Sequence, residues 1–285
     1  MTAQLGPGRS IVWLASYPKS GSTWVRALLT ACLFPDEPLD LSALVGGPIV
    51  FDRSLLDDHA AIDSADLTLD ALLPYQSAFH RAFAAEGDGP VLVKTHSAFR
   101  RASDGTALFP KQASAGAILI VRNPLDIVAS YAHHEGKTAD AIIERMADEE
   151  ARQDEWPDKT SKAVPQLLGS WSTNVTSWLD QDEIPLLLVR YEDLLSDPAG
   201  QLDRITSFCG LSIDLEKQGA ATDAASFERL KKAEDDAGFS EKPRAGKAFF
   251  RKGRTGGSTR ELNEAQNRRI LEDHGAAMRR LGYSG

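Results

Sequence analysis

The chain of 285 residues is long enough to bury one sizeable α/β core, and its 42% hydrophobic and 26% charged residues are ordinary for a folded protein. Its net charge of -9 argues against a general nucleic-acid binder, which needs a basic face. The sequence has no apolar run long enough to span a membrane, so no membrane span is expected.

The first ten residues lack the basic and apolar pattern of a secretory signal. The two cysteines, Cys32 and Cys209, are far apart, which is typical of a reducing compartment and not of a disulfide framework. A cytoplasmic location is therefore expected.

Four short runs rich in Val, Ile and Leu are predicted strands: residues 10–16, 91–95, 116–122 and 185–191. Each run is almost continuously apolar, as is typical of strands buried on both faces of a parallel sheet. Helical patterns separate the runs. The alternation predicts an α/β fold with a mostly parallel central sheet flanked by helices, as a single domain over residues 1–285.

Apolar spacing predicts three of the helices. One begins at Pro124, a residue suited to the first turn of a helix. A long amphipathic helix is predicted from Val164 to Trp178, and a third carries Leu271 and Leu281 on one face.

Three further segments, residues 35–89, 133–165 and 233–260, are expected to cover a substrate site or to form a lid. The first is polar, rich in Asp and interrupted by Pro and Gly, and the last mixes many charges with glycines and prolines. Long irregular stretches in a compact domain are often functional.

The segment SYPKSGSTW, residues 16–24, follows the first predicted strand and leads directly into a helical pattern. The free N–H groups and the positive dipole end of such a helix suit phosphate or a similar anion. Lys19 adds a full charge, and Ser20, Ser22 and Thr23 add hydroxyl donors. The simpler alternative is a capping segment, in which one hydroxyl satisfies the start of the helix.

The same segment departs from the Walker A pattern. Lys19 precedes Gly21, and no earlier glycine lies at the required distance. Ordinary ATP or GTP phosphoryl transfer therefore loses support, while the combination of lysine, glycine and three hydroxyls favours an anion site.

Lys94 and His96 come at the end of the second predicted strand. The carboxyl ends of parallel strands face the crevice where ligands bind, so both side chains are expected there. A histidine suits general-base catalysis because its ordinary pKa lies close to neutral pH. The other histidines are interpreted as structural or surface residues: His59, His80, His133, His134 and His274.

Arg122 ends the third predicted strand, and Ser130 follows about two helical turns into the next element. A guanidinium fork and a hydroxyl make a second anion site. An ion pair between Arg122 and Asp126 is the alternative interpretation. The basic, glycine-rich run FFRKGRTGG at residues 249–257 is by default a solvated surface segment. It has a functional role only if it folds over an anion held by the other two sites.

Together these segments resemble those of the cytosolic-type sulfotransferases that depend on PAPS, 3′-phosphoadenosine 5′-phosphosulfate. SYPKSGSTW is similar to that family's 5′-phosphosulfate loop, and VRNPLDIVASY is similar to its 3′-phosphate strand–loop–helix. KTH resembles the catalytic-base segment and FFRKGRTGG the C-terminal Arg-Lys-Gly loop. GSWSTNVTSWL and VRYEDLLSDP match two further family segments in the expected order. The alanine-rich composition favours a bacterial member.

The resemblance implies a role for each matching residue. Lys19 would contact the bridging oxygen and the sulfuryl group, Lys94 would help to neutralise charge, and His96 would be the general base. The remaining residues would bind the nucleotide: the 5′-phosphate by Ser20, Gly21, Ser22 and Thr23, adenine by Trp24, Tyr191 and Phe227, and the 3′-phosphate by Arg122, Ser130, Arg251, Lys252 and Gly253.

The expected enzyme is thus a PAPS-dependent sulfotransferase that moves a sulfuryl group, by in-line displacement, to a hydroxyl of a small-molecule, lipid or glycan acceptor. No metal is expected, because no Cys, His and Asp cluster has ligand spacing. One alternative is a nucleotide-dependent kinase with an atypical P-loop, which would need a magnesium-binding Asp near a strand end. The other is a catalytically inactive protein that binds adenosine bisphosphate.

Overall fold

A central parallel sheet organises the chain. The structure, a computed structural model, describes residues 10–86, 89–155, 160–239, 241–242, 248–251, 253, 256 and 261–284. The strands in this part are β1 (Ile11–Ser16), β2 (Val91–Thr95), β3 (Ser114–Val121), β4 (Arg152–Gln153), β5 (Gln166–Leu167) and β6 (Leu186–Arg190). The main sheet has the order β2-β1-β3-β6 with all neighbours parallel, and β4 pairs with β5 separately. The predicted single α/β domain is confirmed.

Helices connect and cover these strands. In the described part of the chain they are α1 (Ser22–Leu33), α2 (Arg53–Ala60), α3 (Leu69–Ala85), α4 (Pro124–Glu135), α5 (Ala139–Ala147), α6 (Trp171–Asp180), α7 (Tyr191–Ser196), α8 (Pro198–Phe208), α9 (Leu215–Ala224), α10 (Phe227–Ala237) and α11 (Glu264–Arg280). None of these helices has the length and the apolar character needed to cross a bilayer.

Both faces of the sheet are buried, which explains the continuous apolar strands. Successive side chains of a strand point to opposite faces. Trp13 and Leu119 therefore pack in one cluster, with residues of α3, α4, α5, α6 and α11. Leu14 and Ile118 pack in the other cluster, with residues of α1, α8 and α9. The strands consequently have a fixed register between two apolar layers.

The carboxyl ends of β1, β2 and β3 meet at one edge of the sheet. β1 lies between β2 and β3, so the chain crosses to opposite sides of β1 in turn. In parallel α/β sheets, such a reversal of strand order opens the crevice in which ligands bind. The segments that follow Ser16, Thr95 and Val121 start at this edge.

The long helix predicted from Val164 is wrong in its first half, because α6 begins only at Trp171. Pro165 cannot donate a backbone hydrogen bond, and Gly169 adopts a left-handed φ of 66°. Ser170 then caps α6 with its side chain. Gln166–Leu167, between the proline and the glycine, form β5, so the apolar spacing runs across two different elements.

Residues 35–89 hold more regular structure than the polar pattern indicates, since they contain α2 and α3. Asp52 and Thr68 cap these helices by accepting hydrogen bonds from the backbone N–H groups of Leu55 and Ala71. Such caps satisfy donors that a helix leaves free, and they are the sequence signal that the apolar pattern alone misses.

We expect the interface between sheet and helices to dominate stability. Leu119→Ala, at a fully buried site, should lower the free energy of unfolding by about 2–5 kcal/mol because it leaves a cavity. Leu215→Ala removes the same atoms from a side chain that is 81% exposed, and should change stability by about 0.5 kcal/mol or less. Urea denaturation followed by circular dichroism measures both, and equal losses would contradict the assignment of the core.

Candidate active site

The turn between β1 and α1 leaves the start of α1 open. Gly21 is the N-cap residue, with φ of 108°, and no side chain caps the helix. None of the hydroxyls therefore plays the part that the capping alternative requires. The hydroxyl of Ser20 is buried and has no hydrogen-bond partner among the described residues. Free N–H groups and a buried unpaired hydroxyl at one helix start form an arrangement that suits an anion.

Aromatic rings close one side of this turn. A Cβ atom on Gly21 would lie only 2.6 Å from Cδ2 of Tyr191, so only glycine allows this approach. Trp24 meets Tyr191 edge-on at 5.7 Å between ring centroids and donates from Nε1 to the carbonyl of Ala225. The guanidinium carbon of Arg122 lies 4.3 Å from the centroid of the Tyr191 ring. Four residues predicted to bind the nucleotide are thus neighbours: Gly21, Trp24, Arg122 and Tyr191.

Lys19 lies inside the same crevice with a left-handed φ of 69°. Its Nζ is 3.9 Å from the centroid of Phe249 and 3.4 Å from Nδ1 of His134. Burial, followed by the positive charge of Lys94, lowers the pKa of Lys19 to about 7. A nearby anion would restore the charged form of this amine.

His96 is buried at the end of β2 with its ring turned towards β1. Nδ1 lies 2.6 Å from the carbonyl oxygen of Ser16, and since a carbonyl only accepts, Nδ1 carries the proton. The lone pair is therefore on Nε2, for which the described residues supply no hydrogen-bond partner. Burial, and next the charge of Lys94, lower the pKa of His96 to about 3. The ring is neutral at physiological pH with Nε2 as an available base.

A second layer of side chains fixes the backbone around His96. Gln166 accepts from the His96 N–H and from the Thr95 hydroxyl. Asn174 donates to the His96 carbonyl, and Nε1 of Trp178 donates to the carbonyl of Ser97, the residue after His96. The segment GSWSTNVTSWL thus positions the candidate base through buried hydrogen bonds and does not itself supply reactive groups.

The residues predicted for the 3′-phosphate are only partly gathered. Nη1 of Arg122 lies 3.4 Å from the carbonyl oxygen of Lys19, and Ser130 is half-buried on α4. Arg251 is exposed, forms an ion pair with Glu261, and lines a cavity of about 300 Å³ beside α4. The structure therefore puts Arg122 next to the β1–α1 turn and Arg251 on the flank of α4.

The glycine-rich loop approaches the predicted adenine residues. A Cβ atom on Gly253 would lie 2.3 Å from Cδ2 of Phe227, so the loop packs directly on this ring. Asp126, the alternative partner of Arg122, accepts a hydrogen bond from the N–H of Gly256. Lys252 lies outside the described residues.

Sequence reasoning missed three charged or titratable residues of the site: Arg26, His134 and Glu241. Arg26 follows Thr23 by three residues and His134 follows Ser130 by four, so each pair shares a helix face. That spacing could have indicated that Arg26 and His134 lie near the predicted site residues. His134, interpreted as structural or surface, contacts Lys19.

Within the described residues, no group of three or more His, Cys, Asp and Glu could hold a metal ion.

Comparisons with known proteins show the family of this chain. The sequence profile of the sulfotransferase domain matches residues 9–282. The chain belongs to the sulfotransferase family. Sulfotransferase 1A1 of Bos taurus is 28% identical, covering 92% of this chain and 80% of the relative. Cytosolic sulfotransferase 7 of Arabidopsis thaliana is 24% identical, covering 90% and 75%.

The fold of this sulfotransferase also has solved counterparts. Mouse sulfotransferase SULT7A1, solved complexed with PAP, superposes with a TM-score of 0.60 at 22% identity. The alignment covers 95% of this chain and 85% of the mouse chain. The predicted family and enzyme class are confirmed.

The protonation state of His96 is directly measurable. Long-range ¹H–¹⁵N NMR should report the Nδ1–H tautomer and no titration between about pH 5 and 8, because the lowered pKa keeps the ring neutral there. The signal is assigned by its loss in His96→Gln. An inflection near the ordinary histidine value of about 6.5 would contradict the burial of this ring.

Proposed function

We propose that this sulfotransferase moves a sulfuryl group from PAPS to a hydroxyl by in-line displacement, with His96 as general base. The observation that carries the proposal is the buried ring of His96, whose Nδ1 is held by the Ser16 carbonyl and whose pKa is lowered first by burial and then by the charges of Lys94 and Lys19. The solved relatives include the PAP complex of the mouse protein and retinol dehydratase with retinol and PAP, which supports PAPS as cosubstrate here.

The β1–α1 turn fits a phosphosulfate group on its own evidence. The helix start is uncapped, and the Ser20 hydroxyl is buried without a described partner. Thr23 and Lys94 already bind carboxylate oxygen, since both contact Oε2 of Glu241. We therefore assign the 5′-phosphate to four residues of this turn: Ser20, Gly21, Ser22 and Thr23.

The remaining nucleotide contacts follow from the ring cluster and from α4. Adenine is assigned to the three aromatic residues Trp24, Tyr191 and Phe227. The 3′-phosphate is assigned to Arg122, Ser130, Arg251, Lys252 and Gly253. Arg122 packs on Tyr191 and Gly253 packs on Phe227, which supports one continuous nucleotide surface.

PAPS supplies a sulfuryl group attached to a phosphate leaving group. Nε2 of His96 takes the proton of the acceptor hydroxyl. Meanwhile Nδ1–H continues to donate a hydrogen bond to the Ser16 carbonyl. An anion beside Lys19 and Lys94 offsets the charges that lower the pKa of His96, so it raises that pKa towards neutrality. The same anion favours the protonated form of both lysines, which then neutralise charge on the departing oxygen.

A small molecule with a hydroxyl on an apolar ring system is the proposed acceptor, with lipid and glycan hydroxyls as the alternatives. Phe239 and Phe249 pack edge-on at 4.9 Å, and Phe249 also covers Lys19. Relatives include a flavonol 3-sulfotransferase of Flaveria bidentis. A cytoplasmic location and a bacterial source accompany this proposal, on the grounds of the free cysteines and the composition.

The three covering segments are proposed to enclose that acceptor. Each contributes to the surroundings of the anion-binding donors. Residues 44–45 bind Arg26 through their carbonyls, His134 contacts Lys19, and Glu241 contacts Lys94. These contacts support the assignment of residues 35–89, 133–165 and 233–260 to substrate coverage.

Labelled PAPS tests the reaction. With a panel of phenols, alcohols and glycans we expect a labelled product, and with ATP and magnesium no phosphorylated product. His96→Gln should lower the rate by about 10²–10⁴-fold, as loss of a positioned base does, while His59→Gln at an exposed site should not. Transfer from ATP would favour the kinase, and PAPS binding without transfer to any acceptor would favour the inactive protein.

Calorimetry tests the 3′-phosphate assignment. Arg122→Ala should lower the affinity for adenosine 3′,5′-bisphosphate by about ten- to a hundredfold, because a charge-assisted contact is lost. Adenosine 5′-phosphosulfate, which has no 3′-phosphate, should bind almost unchanged. Arg101→Ala, at an exposed arginine paired with Glu183, is the matched control. Equal loss for both nucleotides would refute the role of Arg122.

A further inference from the structure

An acidic side chain lies among the basic groups at the start of α1. Oε2 of Glu241 is 3.0 Å from the hydroxyl of Thr23 and 3.3 Å from Nζ of Lys94. Oε1 lies 2.6 Å from Nη1 of Arg26. Donors from two separate elements, α1 and β2, thus converge on one carboxylate.

Arg26 is fixed by contacts that do not involve this carboxylate. Its Nε donates to the carbonyl of Val45 at 2.8 Å and its Nη2 donates to the carbonyl of Leu44 at 3.1 Å. The side chain is only 7% exposed. Because two carbonyls hold the guanidinium, the direction of Nη1 is set before any anion is bound, which is the condition for a preorganised donor.

The carboxylate and a phosphosulfate group compete for the same donors. Burial by itself raises the pKa of Glu241, but Lys94 and Arg26, with hydrogen bonds from Arg26 and Thr23, lower it to about 2. The group therefore stays charged at neutral pH. A second anion at Thr23 and Lys94 would lie beside a like charge in a site of low dielectric, which is costly.

We propose that Arg26 is a further binding residue for the sulfuryl end of the cosubstrate, and that the Glu241 carboxylate competes with the phosphosulfate group for Arg26, Thr23 and Lys94. This inference rests on the proposed function. It adds a third cation to Lys19 and Lys94, and it makes the binding of PAPS depend on withdrawal of an internal anion.

The two oxygens of Glu241 indicate which end of the ligand Arg26 serves. Oε2 is shared by Thr23, assigned to the 5′-phosphate, and Lys94, assigned to charge on the departing oxygen that joins the phosphate to the sulfuryl group. Oε1 is bound by Arg26. Arg26 also lies three residues further into α1 than Thr23, beyond the free N–H groups of the first turn that suit phosphate. The sulfuryl group is therefore its partner.

Calorimetry with three nucleotides, none of which requires an acceptor, tests both halves. Glu241→Gln should bind PAPS and adenosine 3′,5′-bisphosphate about 5- to 150-fold more tightly, the typical size of a coupling between two binding events. Adenosine 3′-monophosphate, which lacks the 5′ anion, should bind unchanged. Glu228→Gln, at an exposed site on α10, makes the same change in net charge and should leave all three affinities unchanged.

The second half of the test concerns Arg26. Arg26→Gln should lower the affinity for PAPS by at least about tenfold and the affinity for the bisphosphate much less, because only PAPS carries the sulfuryl group. Equal weakening of all three nucleotides would mean a structural role through the carbonyls of Leu44 and Val45, and would overturn this half. If Arg26→Gln does not fold, Arg26→Lys takes its place, with a smaller loss of affinity that is again greater for PAPS than for the bisphosphate, because lysine keeps the charge but loses the guanidinium that the two carbonyls orient.

The outcomes separate this inference from the proposed function. If the wild-type protein fails to bind PAPS, the proposed function itself is contradicted. Wild-type protein that binds PAPS, with Glu241→Gln no tighter than Glu228→Gln, would leave the function standing and overturn the competition. Tighter binding of adenosine 3′-monophosphate by Glu241→Gln would likewise place the effect outside this site.

Discussion

Positive charge crowded into a crevice of low dielectric is the constraint on which the site depends. Neighbouring parallel strands end at the same edge, so Lys94 of β2 lies close enough to lower the pKa of Lys19, which follows β1. Burial disfavours both cations, and an anion in the same place relieves the penalty. The Glu241 carboxylate acts as such an anion, because it forms an ion pair with Lys94. The preference for anions therefore comes from the fold, before any ligand is considered.

The neutral state of His96 has the same origin. Burial of the imidazole, and next the positive charge of Lys94, lower the pKa of His96, and the Ser16 carbonyl fixes the remaining proton on Nδ1. Gln166 and Asn174 then hold the backbone on either side. In the proposed reaction, base strength is thereby linked to the charge nearby, so the imidazole would become a better base when anionic cosubstrate is present. One electrostatic arrangement would then serve both binding and proton transfer.

Helix α1 joins the anion site to the segments around it. Its uncapped start offers N–H groups, and its first turns carry Thr23 and Arg26 on one face. Through Arg26 the helix holds the carbonyls of residues 44–45 and also reaches Glu241. If the proposed cosubstrate occupies this site, it would alter the Arg26 contacts to two of the proposed covering segments, which would give its binding a physical route to the acceptor side.

Local patterns in the sequence determined the sheet and predicted an anion site. Continuous apolar runs specify strands buried on both faces, and the lysine–glycine–hydroxyl turn predicts an anion site, because each depends on residues close together in the chain. Tertiary structure alone decided the rest. Proline and glycine kept residues 165–169 out of a helix, and β5 forms between them at Gln166–Leu167. Arg26 and Glu241, 215 positions apart, meet only because the folded chain brings α1 and the segment after α10 together, and no local pattern encodes such a contact.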